Sequence, residues 1–163
     1  MLLLKLVILF YSASGADTDT YIHNDDHSLA YTTYTVLTDS QSQCNSQSTC
    51  QEFCEEIGAN LVEIHTSEEM DMLRNWLLSS PHKNEEFWVG LKRNADDNLF
   101  TWSSSGVVLR EDHEFWADTP GSNDVCVMLR KSGNTLHLDG ADDCIKQDMY
   151  GLCEGNYGTG TLS

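Results

Sequence analysis

Basic residues are scarce in this chain of 163 residues: nine Lys and Arg stand against 26 Asp and Glu, giving a formal net charge of −17 at pH 7. A surface this acidic repels phosphate groups, so the composition argues against binding to nucleic acid or to an anionic membrane surface. It is compatible with cations, basic proteins, mineral surfaces or neutral sugars. Solubility alone would also explain the charge.

Long apolar runs are missing after the N-terminal segment. Residues 2–10 are apolar except for Lys5, and small residues follow up to Ala16. The run is too short to span a bilayer, and its order is typical of a secretory signal peptide. We therefore predict a signal peptide over residues 1–16, no membrane span, and a secreted, extracellular protein that starts near Asp17.

Motifs of known catalytic sites are also lacking. The histidines are scattered without a His-Glu-x-x-His pair, and no serine lies in a nucleophile elbow. The Gly-rich segment 155–160 has neither the lysine nor the following helix of a phosphate-binding loop. We therefore expect a protein that is not an enzyme.

Six cysteines are present, at positions 44, 50, 54, 126, 144 and 153. Behind a secretion signal, such a set indicates a disulfide framework rather than a metal or redox site. Six cysteines allow about fifteen connectivities, and spacing alone does not select among them.

Two helices are predicted from the spacing of apolar residues. Cys50, Phe53, Cys54 and Ile57 form one apolar face that Gly58 ends. Thr66 and Glu69 have the spacing of a capping box and open a second helix through about Leu78. The buried stripe of this helix is predicted to contain Met70, Leu73, Trp76 and Leu77.

Short strands are predicted around these helices, at 31–37, 61–64, 87–91, 125–129, 135–138 and 151–153. Residues 92–124 are irregular apart from 99–102, and such a region in a compact domain is usually functional. We expect one α+β domain over residues 31–154, preceded by a flexible acidic arm over 17–30 and followed by a Gly-rich tail over 155–163.

The segments that carry these elements resemble the C-type lectin-like domain. The resemblance covers about residues 31–154 and rests on Cys-Gln-Glu-Phe-Cys at 50–54, Trp-Val-Gly-Leu at 88–91, Phe-Thr-Trp-Ser at 100–103, Phe-Trp at 115–116, Val-Cys-Val at 125–127 and Gly-Leu-Cys-Glu at 151–154. It implies two helices, small antiparallel sheets and a long loop region, all stapled by disulfides. Trp88, Trp102 and Trp116 would then be core residues.

The resemblance implies the pairs Cys54–Cys153 and Cys126–Cys144. Cys44 and Cys50 are extra to that pattern. A local bridge between them is our first choice, and an intermolecular bond through Cys44 is the alternative.

The resemblance also implies a ligand-binding loop around the proline of the long loop. Its candidate residues here are Thr119, Pro120, Asn123, Asp124 and Asp139. Candidate ligands for a calcium ion are Asp124, Asp139 and Asp142. Gly121 supplies no side-chain ligand, and Leu-Asp-Gly-Ala-Asp-Asp at 138–143 replaces the family's Trp-Asn-Asp, so the sequence leaves calcium binding open.

The predicted function is therefore recognition of a carbohydrate or an extracellular glycoprotein through the long loop, in an acidic C-type lectin. The alternative is a calcium-independent protein that binds a basic protein partner, or an acidic protein of the extracellular matrix or of mineral.

Overall fold

The computed structural model describes residues 18–23, 31–37 and 44–157. The predicted signal segment, residues 17 and 24–30 of the predicted arm and residues 158–163 of the predicted tail lie outside these ranges. Two helices are described, α1 (Gln47–Glu56) and α2 (Ser67–Ser79). The strands are β1 (Thr18–His23), β2 (Tyr31–Leu37), β3 (Asn60–Leu61), β4 (Phe87–Arg93), β5 (Phe100–Trp102), β6 (Val108–Leu109), β7 (Cys126–Ser132), β8 (Thr135–Ala141) and β9 (Tyr150–Tyr157). Among the described residues, no helix is both long and apolar enough to cross a membrane.

The strands form one hydrogen-bonded network in the order β1-β2-β9-β4-β5-β6, in which β3 pairs with β9 and β7 joins β4 to β8. The pairings are antiparallel except that of β4 with β9, which is parallel at Phe87↔Tyr150 and Trp88↔Gly151. The last strand therefore lies between β2 and β4, which closes the domain on itself. The predicted α+β class is confirmed, with the small sheets joined into a single mixed network.

Helix α2 follows the predicted capping box. The Thr66 side chain accepts a hydrogen bond from the backbone N–H of Glu69 at 3.1 Å. The Glu69 carboxylate accepts one from the backbone N–H of His65 at 2.9 Å. Met70, Leu73 and Leu77 are buried and Trp76 is partly buried, so the predicted stripe faces the core.

Helix α1 begins earlier than predicted and ends at the predicted glycine stop. It begins at Gln47 because Ser46 caps it, accepting a hydrogen bond from the backbone N–H of Thr49 at 3.1 Å. The helix ends at Glu56, and Gly58, with φ +75°, turns the chain away. Ile57 is consequently 45% exposed, and its assignment to the buried face was wrong.

Strand pairing extends past the predicted domain limits. β1 lies within the segment predicted as a flexible arm and pairs with β2 from Thr18↔Leu37 to His23↔Thr32. β9 continues to Tyr157, three residues into the predicted tail, because β2 offers it backbone partners as far as Tyr31. Within the predicted irregular region, the chain also forms β6 against β5.

Three disulfides join these elements: Cys54–Cys153, Cys126–Cys144 and a local Cys44–Cys50. The first ties α1 to β9. The second joins the first residue of β7 to the segment that follows β8. Five of the six cysteines are fully buried, in a cluster that includes Trp88 and Met149. A second, larger cluster fills the space between the sheet and α2 and contains Trp102 and Trp116, so the predicted core role of these three tryptophans is confirmed.

The register of β4 changes along its length. Trp88 pairs with Met128 and Lys92 with Cys126, with an irregularity between them. Gln47, which is buried, donates its side-chain amide N–H groups to the carbonyls of Val89 and Leu91, both at 2.8 Å. The α1 side chain thus satisfies backbone groups in the irregular part of β4 and fixes the end of the strand from which the long loop leaves.

Candidate functional site

The long-loop region, residues 94–125, runs from the end of β4 to the start of β7. Apolar side chains anchor it to the core. Phe100, Trp102, Phe115 and Trp116 are each less than 8% exposed. The rings of Phe100 and Trp116 are 4.9 Å apart, and Trp116 Nε1 donates to the carbonyl of Arg110 at 2.9 Å. Four buried aromatic side chains therefore anchor this largely irregular segment to the core.

Arg93, the last residue of β4, binds several parts of the long-loop region at once. Its side chain is only 8% exposed. The guanidinium donates to the carbonyls of Asp124 (2.6 Å), Gly121 (2.8 Å) and Asn98 (3.1 Å) and to the carboxylate of Glu111 (2.9 Å). It also lies 4.2 Å from the centre of the Phe100 ring. We call this set of contacts the Arg93 clamp.

The turn that follows Pro120 is closed by its own backbone and by Asp124. Gly121 N–H donates to the Asp124 carboxylate at 2.6 Å, and Asp124 N–H donates to the Gly121 carbonyl at 3.1 Å. Pro120 is buried, whereas Thr119 and Asn123 are exposed. The predicted loop residues thus divide into an inner set that builds the turn and an outer pair that faces solvent.

The Asp124 carboxylate lies across Gly140 of β8. A Cβ added at Gly140 would come within 2.7 Å of Asp124 Cγ, so no larger side chain fits while Asp124 keeps this position. The turn and β8 are therefore in direct contact. Gly140 lies within residues 138–143, where the resemblance implied further calcium ligands, and it carries no side-chain oxygen.

Asp139 does not join Asp124. Asp139 neighbours Gly140 on β8, so its side chain points to the opposite face of the strand from Asp124. There it binds Arg130 at 2.6 Å. Asp142 is exposed beyond the end of β8. The structure thus brings Thr119, Pro120, Asn123 and Asp124 together and places Asp139 against Arg130 instead.

The residues around Pro120 do not fit a calcium ion. Calcium takes about six to eight oxygen ligands, of which charged carboxylates contribute most to affinity. Asp124 already accepts a hydrogen bond within the turn, and Gly121 and Gly140 carry no side-chain oxygen. Among the residues that the structure describes, no three His, Cys, Asp or Glu side chains are grouped so that they could hold a metal.

Glu63 supports the long-loop region from the other side. Although charged, it is only 5% exposed, and its carboxylate accepts hydrogen bonds from the backbone N–H groups of Ser104 (2.5 Å) and Ser105 (3.2 Å). It also lies 3.2 Å from His65 Nε2. These bonds hold the turn that leads from β5 to β6.

A second acidic residue lies next to Glu63. The Glu154 carboxylate of β9 accepts a hydrogen bond from the backbone N–H of Glu63 at 3.2 Å. Burial raises the pKa of Glu154 to about 7, although this hydrogen bond lowers it, and the nearby carboxylates of Glu69 and Glu63 add to the rise. This carboxyl group therefore titrates near neutral pH.

Arg93 and Glu63 are not among the site residues predicted from the sequence, although each carries a signal. Arg93 follows the buried Leu91 and the exposed Lys92, so the two-residue period of a strand turns its side chain to the buried side. Glu63 stands between Val62 and Ile64, both fully buried. A charge in such an apolar setting needs partners, and their identity depends on the path of the loop.

Comparison with known proteins agrees with this architecture. Three solved structures illustrate it. Human lithostathine has a TM-score of 0.60 and 19% identity over 76% of this chain and 92% of its own. The cow CD23 carbohydrate-recognition domain, solved in the presence of a GlcNAc2Man3 oligosaccharide, has a TM-score of 0.58 and 20% identity over 83% and 98%. The Ca2+-independent C-type lectin SPL-2 from Saxidomus purpuratus has a TM-score of 0.56 and 21% identity over 76% and 86%.

These features define a disulfide-stapled α+β domain with a long loop region. The family described as the Lectin C-type domain matches residues 39–154. The chain belongs to the C-type lectin domain family. The resemblance expected from the sequence is thereby confirmed, and members of this family are generally binding proteins rather than enzymes.

Proposed function

We propose that this protein is a secreted recognition protein that binds carbohydrate through the exposed rim of its long-loop region. The rim consists of Thr119, Ser122 and Asn123, the exposed polar residues beside Pro120. Hydroxyl and amide groups are suited to sugars because they both donate and accept hydrogen bonds. No charge has to be desolvated when a neutral sugar binds them.

The main support for this proposal is that the rim has solvent-facing side chains on a backbone that the Arg93 clamp holds in place. The side chains of the rim face solvent, while the backbone of the same turn is held by the Arg93 clamp. A binding surface built on a fixed backbone loses less conformational entropy when the ligand binds. Side chains free to bind on a rigid frame are what a recognition loop requires.

Fold neighbours that were solved with sugars support the same proposal. SPL-1, with a TM-score of 0.54 and 19% identity, was solved as a GlcNAc complex, and the CD23 domain was solved with an oligosaccharide. At these identities the likeness establishes the fold, so the ligand of this chain is inferred from its own rim.

A glycan array tests the proposal directly. We expect the oxidised protein to bind a defined subset of glycans. The assays are run in calcium and in chelator to show whether binding depends on calcium. The Thr119→Ala/Asn123→Ala variant should lose at least about tenfold in affinity, the effect of two lost hydrogen bonds. Asn134→Ala, at an exposed asparagine in the β7–β8 turn, is the matched control. Absence of any glycan signal, or equal binding by the rim variant, would reject the proposal.

Secretion is part of the proposal and has its own test. Expression of the whole sequence in a secreting eukaryotic cell should release the protein into the medium with an N-terminus at or near Asp17. Retention of an unprocessed chain inside the cell would contradict it.

A basic protein partner is the second candidate, favoured by an acidic stretch beside the rim. Glu111, Asp112, Glu114 and Asp118 are all exposed, and the Asp112 side chain reaches 70%. Attraction between such a surface and a cationic partner is screened by salt. Binding to an oligolysine peptide that weakens at least about tenfold between low and high salt, and that free sugar does not compete, would favour this candidate over the first.

A further inference from the structure

We infer that the guanidinium of Arg93 takes the place of a bound metal ion as the cation that organises the long-loop region, so that its recognition surface forms without calcium. This inference rests on the proposed function, because the loop that Arg93 organises carries the proposed binding rim. The structural claim itself holds for a glycan or a protein ligand.

The oxygen atoms around Arg93 are of the kind that a hard cation collects. Three are backbone carbonyls, from Asn98, Gly121 and Asp124, and the fourth belongs to the Glu111 carboxylate. Carbonyls and carboxylates from separate chain segments are also the usual ligands of calcium. Here these segments converge on a positive charge that belongs to the chain.

Arginine chemistry suits this task. Its planar group presents five N–H donors in a fixed fork and stays charged at all accessible pH values. The fork reaches the start, middle and end of the long-loop region, and the Phe100 ring lies beside it. The backbone N–H of Arg93 adds a fifth link, to the carbonyl of Val125 at 2.7 Å.

Arg93 also disfavours a metal at this point. Its charge repels a second cation, and its donors occupy the Gly121 and Asp124 carbonyls that face it. The Asp124 carboxylate is turned toward Gly121 N–H and Gly140. Gly121 and Gly140, which supply no side-chain oxygen, and Arg93, which repels a cation, thus all disfavour calcium at this turn.

The first experiment uses the unaltered, oxidised protein. Hydrogen exchange of peptides from residues 94–125 is measured with calcium at millimolar concentration and with excess EDTA, beside calorimetric titration of calcium. We expect equal protection in both conditions and no saturable heat. Slower exchange of residues 94–125 in calcium would overturn the inference, and this result depends on no variant.

The second experiment uses the Arg93→Met variant. Methionine keeps a long apolar side chain but has no charge. Exchange of residues 94–125 should become at least about tenfold faster, as expected for the loss of charge-assisted hydrogen bonds. Lys92→Met is the matched control, because Lys92 precedes Arg93 on the same strand and is exposed. Unchanged exchange in Arg93→Met would also overturn the inference.

Arg93→Lys covers the case in which the methionine variant does not fold. Lysine keeps the charge but lacks the fork, so exchange in the same peptides should rise by less than in Arg93→Met and by more than in Lys92→Met. A failure of glycan binding would reject the proposed function while leaving these results in place, so the two failures are distinguishable.

Discussion

Two regions of this molecule each contain an arginine bonded to several oxygens, and they differ in where those oxygens come from. In the long-loop region, Arg93 is buried and binds mainly backbone carbonyls. On the outer face of the β7–β8 hairpin, Arg130 is 45% exposed and binds the carboxylates of Asp139 and Glu86. Lys146 also contacts Glu86.

The difference teaches what each cation can do. An exposed ion pair competes with water and salt and contributes little to stability. A buried guanidinium bonded to carbonyls fixes the path of the backbone, and without it the carbonyls of Asn98 and Asp124 would lose their charged donor. The hairpin is already held by its strand ladder, whereas the long loop has little regular pairing. Arg93 therefore determines structure where secondary structure does not.

The largest expected effect on stability comes from replacing each arginine in turn. Arg93→Met should lower the free energy of unfolding by about 3–5 kcal/mol, because four acceptors lose a buried charged donor. Arg130→Met should lower it by no more than about 1 kcal/mol. Urea unfolding followed by circular dichroism measures both. Equal losses would show that burial and carbonyl partners do not distinguish the two sites.

A covalent link at the base of both regions gives the next effect. Cys126 and Cys144 are 18 residues apart in sequence, so opening their bridge in a Cys126→Ala/Cys144→Ala variant should cost about 3 kcal/mol in the chain-entropy model.

The Arg93 clamp is expected to survive this loss, so hydrogen exchange in the folded variant should stay slow at residues 94–125. Opening the shorter bridge, with Cys44→Ala/Cys50→Ala, is the control and should cost about 2 kcal/mol. Selective loosening of the long loop in the first variant would mean that the disulfide, and not Arg93, holds it.

Glu154 gives a smaller, pH-dependent effect on the support beneath the long loop. Its folded pKa, about 7, is above the usual value of 4.5, so the folded state binds its proton more tightly than the unfolded state does. The stability due to this proton is full below about pH 4.5 and is lost as pH rises through about 7. Glu154→Gln should therefore raise stability by about 1–2 kcal/mol at pH 8, and the gain should shrink toward pH 5.

Thermal melts across this pH range test that expectation. Glutamine keeps an oxygen that can accept from the Glu63 N–H, so the hydrogen bond is preserved. Glu52→Gln, at an exposed position of α1, removes the same charge and is the control. A gain that does not change with pH, or one shared by both variants, would contradict the assignment.

Some parts of this structure could be predicted from the amino-acid sequence and others could not. The α2 start was predictable because its capping box is local, with Thr66 and Glu69 three positions apart. The fold and its family were predictable because the cysteine and tryptophan segments form a specific set. The start of α1 was missed because the apolar face begins at Cys50, while the helix itself is set by the Ser46 cap.

The clamp could not be predicted for a physical reason. Its acceptors are backbone carbonyls at 98, 121 and 124, and any residue type supplies a carbonyl. Side-chain patterns therefore carry no trace of them. The likeness to sugar-binding relatives drew attention to Asp124 and Asp139 as one group, but the alternation of β8 places their side chains on opposite faces.

The smallest expected effect lies within the clamp itself and separates its two kinds of acceptor. Glu111 is 49% exposed, so its ion pair with Arg93 is screened by solvent. Glu111→Gln should lower stability by less than about 1 kcal/mol and leave exchange at residues 94–125 unchanged. Urea unfolding and hydrogen exchange measure the two expectations, with Asp112→Asn as an exposed control. A loss as large as that of Arg93→Met would mean that the carboxylate organises the loop, and the distinction between the Arg93 and Arg130 regions would then disappear.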